Sequence, residues 1–383
     1  MDFNKLINEA EPKPPKISID VNKTIAALMY TGGTTGLPKG VMLTHDNLIK
    51  NTFQAGLFLY DKPKTLDLLG TSANLAVLPL CHIFGLYLSF ATTASAYLNI
   101  MMKFDPARAL QVIEKYKPFM ISGVPTHFQL LSTPPEFKDR DISSLKLITS
   151  AGAALAPAIA KKYEAKDVVV KMGYGLTECS PATHLQPEWL KYNSESIGVP
   201  ILDTDAKIVD PTNYERETEI GQAGELLIRG PQTMKGYWRN EEATKSVILK
   251  DGWLRTGDIA RMDENGYFYI VGRSKEQIKY KGYRILPFEV ETTLFEHPAV
   301  ADCAVIGIPD ENVGEIIRAF IKLKPEFKGK ITEQEIIEWA KENMAGYKWP
   351  RQVEFISSIP KSPVGKTLRR GLREKALKEI SKQ

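Results

Sequence analysis

The sequence predicts an α/β protein with a large parallel-sheet domain, a β-rich subdomain and a small C-terminal α+β domain. Three observations predict it. From about residue 75 to 172, short apolar, β-branched runs alternate with helical stretches, the pattern of strands buried on both faces between crossover helices. After about Ser196 the helical periodicity falls away. At residues 272–277 the pattern changes again, and beyond it helices and strands mix in a compact piece. The expected division is 1–196, 197–272, a connector at 273–276, and 277–383.

The elements follow in order. Residues 11–22 are a proline-rich, extended lead-in. Strands are expected at 75–80, 97–102, 119–122, 145–149 and 168–172. Asp105-Pro106 caps a helix running to about Tyr116, with proline in its first turn. Further helices are expected at 125–131 and 157–164. In the β-rich stretch, strands are expected at 206–209, 225–229, 259–262 and 267–271, with Asp263-Glu264-Asn265-Gly266 as a hairpin turn. Beyond residue 277 come a helix at 287–296, strands at 302–308, 316–324 and 352–356, and a helix opened by a Thr332/Glu335 capping box. A last, basic helix carries Leu368, Leu372 and Ile380 on one face.

Bulk properties exclude several classes. A chain of 383 residues can bury a large core and divides into two or more domains. A net charge of +4 does not point to nucleic acid. The basic excess is local: residues 361–382 hold eight Lys/Arg against Glu374 and Glu379. Cys81, Cys179 and Cys303 are odd in number, far apart and without metal-ligand spacing, which suits reduced thiols in a cytoplasm and simple packing. The N-terminus has no signal-peptide apolar core. Residues 68–102 carry no charged side chain, but Asn74, Pro79, His82, Thr92, Thr93 and Ser95 interrupt them, so no apolar span of about 20 residues crosses a membrane.

Two constellations carry chemistry. Tyr30 to Gly40, Y-T-G-G-T-T-G-L-P-K-G, holds four glycines, three threonines and a lysine. Glycines let backbone N–H groups turn inward, threonines add hydroxyl donors, and Lys39 adds a mobile charge; together they make a cradle for phosphate oxygens. The common P-loop spacing fails, because Pro38 stands where its second glycine would fall. The second is Gly173-Tyr174-Gly175-Leu176-Thr177-Glu178, directly after the strand at 168–172. Ligands of open parallel sheets bind beyond the carboxyl ends of strands. There a tyrosine stacks on a flat base, a threonine donates to phosphate, and a glutamate suits Mg2+. Alone, the six residues could be a loop and helix cap; with the first loop they specify a nucleotide and a metal.

The chain resembles the adenylate-forming superfamily of acyl-CoA ligases, peptide-synthetase adenylation domains and luciferases, and within it the fatty-acyl-CoA ligases. The strings that carry the resemblance are Y-T-G-G-T-T-G-L-P-K-G, P-L-C-H-I-F-G, Y-G-L-T-E, G-E-L-L-I-R-G, R-T-G-D, G-R-S-K-E-Q-I-K-Y-K-G-Y and P-V-G-K, in family order along nearly the whole chain. The resemblance implies that Thr31, Gly32, Gly33, Thr34, Thr35 and Lys39 hold the β and γ phosphates of ATP. It places adenine on Tyr174 near Gly152 and Ala153, the α-phosphate at Thr177, and Mg2+ at Glu178. Asp258 would accept from both ribose hydroxyls, with Arg273 supporting the same sugar. Lys275 matches an interdomain hinge about which the C-terminal domain moves, Lys279 begins a stretch brought in for the second half-reaction, and Lys366 matches the lysine that the small domain delivers. His82 matches an aromatic gate between acyl site and thiol tunnel, or is a buried polar histidine. Asp258 could instead brace the turn at 255–257 or pair with Arg273, and Lys366 could belong to a solvated basic face.

The implied activity is ATP-dependent ligation of a carboxylic acid to coenzyme A through an acyl-adenylate. The alternatives are loading of a carrier-protein thiol, or a nucleotide- or partner-binding protein without catalysis. No aspartate lies between Leu68 and Met102 to bind a substrate ammonium, which argues for an acid without an α-amine, such as a fatty acid. Gly85, Ser89, Ala91, Ala94 and Ala96, with Gly123, Val124 and Phe128, are the expected lining for an alkyl chain. The family's long segment ahead of the phosphate loop has no counterpart before Tyr30, so the resemblance leads one to expect an N-terminally truncated large domain. A complementing N-terminal chain or self-association is therefore expected, because parallel sheets need both faces covered.

Overall fold

A computed structural model of the protein describes residues 2–11, 13, 16–31, 38–59, 70–153, 155–187, 189–361 and 367–380. The first sheet begins as an antiparallel pair, β1 (Ile25–Thr31) and β2 (Lys39–Thr44), whose last register pair is Thr31 with Lys39. Gly32, Gly33, Thr34 and Thr35 stand between those two residues and lie outside the described residues.

The large sheet comprises β3 (Ala73–Ala76), β4 (Leu98–Met101), β5 (Met120–Gly123), β6 (Leu147–Ala151), β7 (Val169–Gly175), β8 (Ala182–Leu185) and β9 (Val199–Pro200). Its order is β4-β3-β5-β6-β7-β8-β9, parallel through β7 and antiparallel thereafter. Helices Ile83–Ala94, Pro106–Tyr116, Pro125–Leu131 and Pro157–Glu164 fill the crossovers. Each of the last three starts with proline, whose missing N–H costs nothing in a first turn. At Pro106–Tyr116 the Asp105 carboxylate also caps, accepting from Arg108 N–H at 2.8 Å.

The two faces of this sheet differ, because successive side chains point to opposite sides. Leu75, Ile121, Ile148 and Val170 lie opposite one another on adjacent strands. They pack with Leu110, Ile113 and Phe128 of the helices in a buried apolar cluster. Phe128 has no exposed surface and meets Tyr163 edge-on, so Phe128→Ala would cost about 3–5 kcal/mol. The other parity carries Asn74, Ser122, Thr149 and Lys171, also buried. The sequence reading expected strands apolar on both sides. The polar row is tolerated where its members pair, as Ser122 with Thr149, Asn74 with Asn99, and Lys171 Nζ with the Pro187 carbonyl.

A second, antiparallel sheet contains β10 (Asp205–Asp210), β11 (Asn213–Glu217), β12 (Gly224–Arg229), β14 (Leu254–Met262) and β15 (Phe268–Arg273), in the order β11-β10-β12-β14-β15. Gly266, at φ +79°, closes the β14–β15 turn, and the Asp263 carboxylate there accepts from the N–H groups of Asn265 and Tyr267. One short strand, β13 (Gly236–Tyr237), leaves this run of sequence and pairs with β2, completing the sheet β1-β2-β13. Phe268 of β15 bridges to Gly198 beside β9. A common core of Met29, Val41, Leu43, Cys179, Ile228 and Phe268 joins the three sheets.

The C-terminal sheet holds β16 (Ile278–Tyr280), β17 (Tyr283–Ile285), β18 (Val300–Asp310), β19 (Gly314–Leu323) and β20 (Gln352–Phe355). The order is β17-β16-β19-β18, with β20 parallel to β19. Helices Pro287–Glu296, Glu333–Asn343 and Arg369–Ile380 pack on it, and Thr332 with Glu335 forms the expected capping box. Among the described residues no helix is long and apolar enough to cross a membrane.

Candidate active site

The site lies beyond the carboxyl ends of β6 and β7. These strands are parallel with Ala151 opposite Gly173, so the residues that follow each strand emerge side by side. Gly152 takes φ +85°, a conformation that a side chain would strain, and with Ala153 it forms an exposed turn next to Tyr174.

Tyr174, Asp258 and Arg273 come together from two sheets. The Tyr174 hydroxyl donates to Asp258 Oδ2 at 2.6 Å, and Arg273 Nε forms an ion pair with Asp258 Oδ1 at 2.9 Å. Asp258 and Arg273 are register partners on β14 and β15, so the pair is built by strand pairing. Asp258 is only 3% exposed. Burial, and then the Asp258 charge, hold the Tyr174 hydroxyl well above the ordinary phenol range, which keeps it a donor. The turn at 255–257 is braced by Thr256 instead: its hydroxyl donates to the Leu226 carbonyl and accepts from Asp258 N–H. A carboxylate has about four acceptor positions, and two remain on Asp258 for other donors.

A second group forms at Glu178, in the short 3-10 turn Thr177–Cys179. Glu178 Oε1 accepts from the Tyr237 hydroxyl at 2.8 Å, and Lys39 Nζ sits 4.8 Å from the centre of the Tyr237 ring. Burial and the Glu178 charge raise the Tyr237 hydroxyl, so it too stays protonated. Tyr237 links the carboxylate and the lysine, and sequence reasoning missed it. A two-residue strand has no periodicity to read, and only the pairing of β13 with β2 brings Tyr237 here. Among the described residues no three His, Cys, Asp or Glu side chains gather around one point. A lone carboxylate fits Mg2+ that arrives with phosphates, since Mg2+ takes one or two carboxylates and completes its shell with phosphate and water.

The remaining expected residues are distributed differently. Thr31 ends β1, its hydroxyl directed at the Lys39 carbonyl. His82 is exposed and caps helix Ile83–Ala94, Nδ1 accepting from Phe84 N–H at 3.2 Å; it is not a buried polar histidine. Lys275 lies in the turn Ser274–Glu276 between β15 and β16. Lys279 is exposed on β16, its N–H donating to Glu315 Oε2. Lys366 lies outside the described residues. Cys179 and Cys303 are buried, and burial raises both thiols out of the reactive range.

The expected acyl lining is corrected in part. Gly85 and Ser89 line a crevice with Asn74, Leu88, Asn99 and Ser122, between helix Ile83–Ala94 and the polar face of the sheet. Gly85 is required there, because a Cβ would lie 2.3 Å from the Pro79 carbonyl oxygen. Ala94 and Ala96 are exposed, and Phe128 packs on the opposite face of the sheet. The crevice has about 10 Å³ free, room for one water.

This fold and these clusters belong to a known class: the chain is a member of the AMP-binding enzyme family, whose model matches residues 2–238, while the AMP-binding enzyme C-terminal domain matches residues 289–366. Among curated relatives, a long-chain-fatty-acid–CoA ligase of Bacillus subtilis (strain 168) is 42% identical over 361 residues, 93% of this chain and 62% of the relative. A probable 4-coumarate–CoA ligase 1 of Dictyostelium discoideum is 39% identical over 381 residues, 98% of this chain and 67% of the relative. Among solved structures, ATP-bound MatB from Rhodopseudomonas palustris superposes with a TM-score of 0.87 at 29% identity, covering 97% of this chain and 72% of that one. The chain thus spans about two thirds of the length of the relatives it matches.

Proposed function

We propose that this chain activates a carboxylic acid by joining it to AMP and passes the acyl group to coenzyme A. The observation that carries the reading is the joining of Tyr174, Asp258 and Arg273 at the carboxyl end of β7, beside the Glu178–Tyr237–Lys39 group. The first suits a nucleoside: a ring to stack on, and a carboxylate with acceptor positions left for sugar hydroxyls. The second suits its phosphates.

In the first half-reaction a carboxylate oxygen bonds to the α-phosphorus of ATP and pyrophosphate leaves. Catalysis here is mainly alignment and neutralisation of charge. Thr31, Gly32, Gly33, Thr34, Thr35 and Lys39 hold the outer phosphates, and Thr177 contacts the α-phosphate. Glu178 holds Mg2+, which supplies charge neutralisation on the phosphates when bound. Lys366 meets the charge growing on the α-phosphate. In the second half-reaction a CoA thiolate bonds to the acyl carbon and AMP leaves. Between the two, the segment from residue 277 onward turns about Lys275, withdrawing Lys366 and bringing up Lys279; His82 gates the thiol's approach. Using one cleft for two chemistries is a reason for a hinge.

A fatty acid is the substrate class favoured by the B. subtilis relative. The reading also calls for a covering layer. Ile49, Phe53 and Leu57 are each at least 50% exposed in a stripe along helix His45–Leu59, and Leu98 and Met101 are exposed on edge strand β4. A complementing polypeptide or a second copy covers them.

The test is incubation with MgATP, a panel of fatty and aryl acids, and either CoA, a carrier protein or hydroxylamine, following AMP and pyrophosphate. Acid-dependent pyrophosphate and a CoA thioester are expected. Thioester on the carrier alone would redirect the acceptor; no pyrophosphate with any acid, with or without a complementing N-terminal chain, would leave a binding protein.

A further inference from the structure

Helix His45–Leu59 buries a row of amides. Asn47, Asn51 and Gln54, spaced i, i+4 and i+7, share one helical face and are 9%, 0% and 4% exposed, while Ile49, Phe53 and Leu57 on the other side are at least half exposed. A face whose task is packing alone would carry apolar side chains there, since a buried amide must recover the hydrogen bonds it loses to water. These amides recover theirs from the main chain of the loops that frame Glu178. Asn51 Oδ1 accepts from Ala182 N–H at 3.0 Å, and its Nδ2 donates to the Ala182 carbonyl at 2.8 Å. Asn47 Nδ2 donates to the carbonyls of Pro231 and Thr233 at 2.7 and 3.1 Å. Gln54 Nε2 completes the row on the Leu202 carbonyl at 2.7 Å.

Ala182 opens β8 and stands opposite Gly175 at the end of β7, so residues 176–181 form the turn between the two strands, closed by Leu176 N–H donating to the Pro181 carbonyl at 3.0 Å. That turn carries Thr177 and Glu178. The loop at 231–234 leads directly to Tyr237 on β13. The two are tied to each other as well: the Ser180 hydroxyl donates to the Gln232 carbonyl at 2.9 Å, and Met234 N–H to the Glu178 carbonyl at 2.8 Å. The hydrogen bond from Tyr237 to Glu178 Oε1 spans the two loops, so its length depends on their separation. Asn47 and Asn51, one helical turn apart, set that separation from a single rigid element. We propose that Asn51, together with Asn47, is a positioning residue for the Glu178 carboxylate: the helix holds the 176–181 turn and the 231–234 loop at a fixed spacing, so that Glu178 is aligned with Tyr237 before a metal arrives. The proposal rests on the role given above to Glu178.

The test is calorimetry of ATP binding to the full chain, with Mg2+ and again in EDTA, for the wild type, Asn51→Ala and Asn47→Ala. Ile113→Ala, which opens a cavity in the apolar cluster of the large sheet, is the control for lost stability alone. Each asparagine variant should lose about tenfold of the ATP affinity that Mg2+ adds, as expected for groups that orient a metal ligand, with the affinity in EDTA within about twofold of the wild type. Ile113→Ala should lower the Tm and leave both affinities in place. Combined with Tyr237→Phe, the Mg2+-dependent loss of Asn51→Ala should fall short of the product of the two single losses, because both act on one carboxylate. Amide exchange at 176–182 should quicken while β10 and β12 stay protected. Equal losses with and without Mg2+, or a matching loss in Ile113→Ala, would overturn the proposal and reduce the amides to fold-stabilising contacts. Should Asn51→Ala not fold, Asn47→Ala decides by the same criteria. A wild-type chain that gains no ATP affinity from Mg2+ would overturn the proposed function and the role of these asparagines with it; a wild-type gain that both variants keep would overturn the positioning role alone.

Discussion

The nucleotide end of the large sheet and the C-terminal sheet hold their polar groups in opposite ways. At the nucleotide end, Tyr174 and Arg273 converge on Asp258 between two sheets, and Tyr237 of a third sheet holds Glu178, with distances of 2.6–2.9 Å. In the C-terminal sheet, Lys279 is exposed on a strand, and an ion cluster of Arg369 with Glu276 and Glu291 joins the helices of that sheet to the connector. The first arrangement presents groups already aligned, so a ligand meets little reorganisation. The second suits a piece that is carried to the site as a unit. On the proposed mechanism, alignment and delivery would be built separately, and loss of each should leave a different kinetic trace.

Four perturbations test that contrast, from the largest effect down. Lys366→Ala should lower adenylate formation by about 2.7–4 kcal/mol of barrier, hundreds-fold in rate, and largely spare thioester formation from supplied acyl-AMP. Equal losses in single-turnover assays of both half-reactions would erase the distinction between delivery and alignment. Asp258→Ala removes the acceptor shared by Tyr174 and Arg273 and should raise the KM for ATP by about 10- to 100-fold, with a lower Tm, since it leaves two donors unpaired. An unchanged KM would show that the nucleoside binds elsewhere.

Tyr237→Phe deletes a single hydroxyl. Losing a hydrogen bond to a carboxylate, about 1.5 kcal/mol, should raise the Mg2+ concentration needed for half-maximal adenylation by roughly tenfold. Calorimetry of MgATP binding gives the independent readout; a fall in Tm without a shift in Mg2+ dependence would reduce Tyr237 to packing. The smallest effect concerns His184, on β8 beside Tyr174. Burial pushes its imidazole down to about 3 from 6.5. Between those values the unfolded chain binds a proton that the folded chain does not. Stability is therefore full above about pH 6.5 and falls as the pH drops toward 3, by about 1.4 kcal/mol per unit well inside that window. His184→Gln should flatten that part of a Tm-against-pH curve relative to the wild type; parallel curves would mean the ring is already solvated.

Much of this was legible in the residues. The Asp105-Pro106 start, the Thr332/Glu335 capping box and the 263–266 turn were readable because each is a local device, complete within a few residues. The helix at Pro287–Glu296 was readable for the same reason. Tyr174 and Glu178 were legible as members of one short motif after an apolar strand. Tyr237 was not, and neither was the polar row of Asn74, Ser122, Thr149 and Lys171 inside the large sheet. Those depend on which strand lies next to which, and on which face each residue occupies.

The sequence by itself determined the alternation of strands and helices, the caps and turns, and the Y-T-G-G-T-T-G-L-P-K-G and Y-G-L-T-E strings that carry the family resemblance. These come from local backbone preference and side-chain periodicity, which act over a few residues. Only the tertiary structure decided that Asp258 faces both Tyr174 and Arg273, that Tyr237 bridges Glu178 and Lys39, and that Arg369 reaches Glu276. The contacts of Asp258 with Tyr174, Tyr237 with Glu178 and Arg369 with Glu276 each join residues 59 or more positions apart. The register of paired strands and the burial of charge fix them, and neither has a local signal.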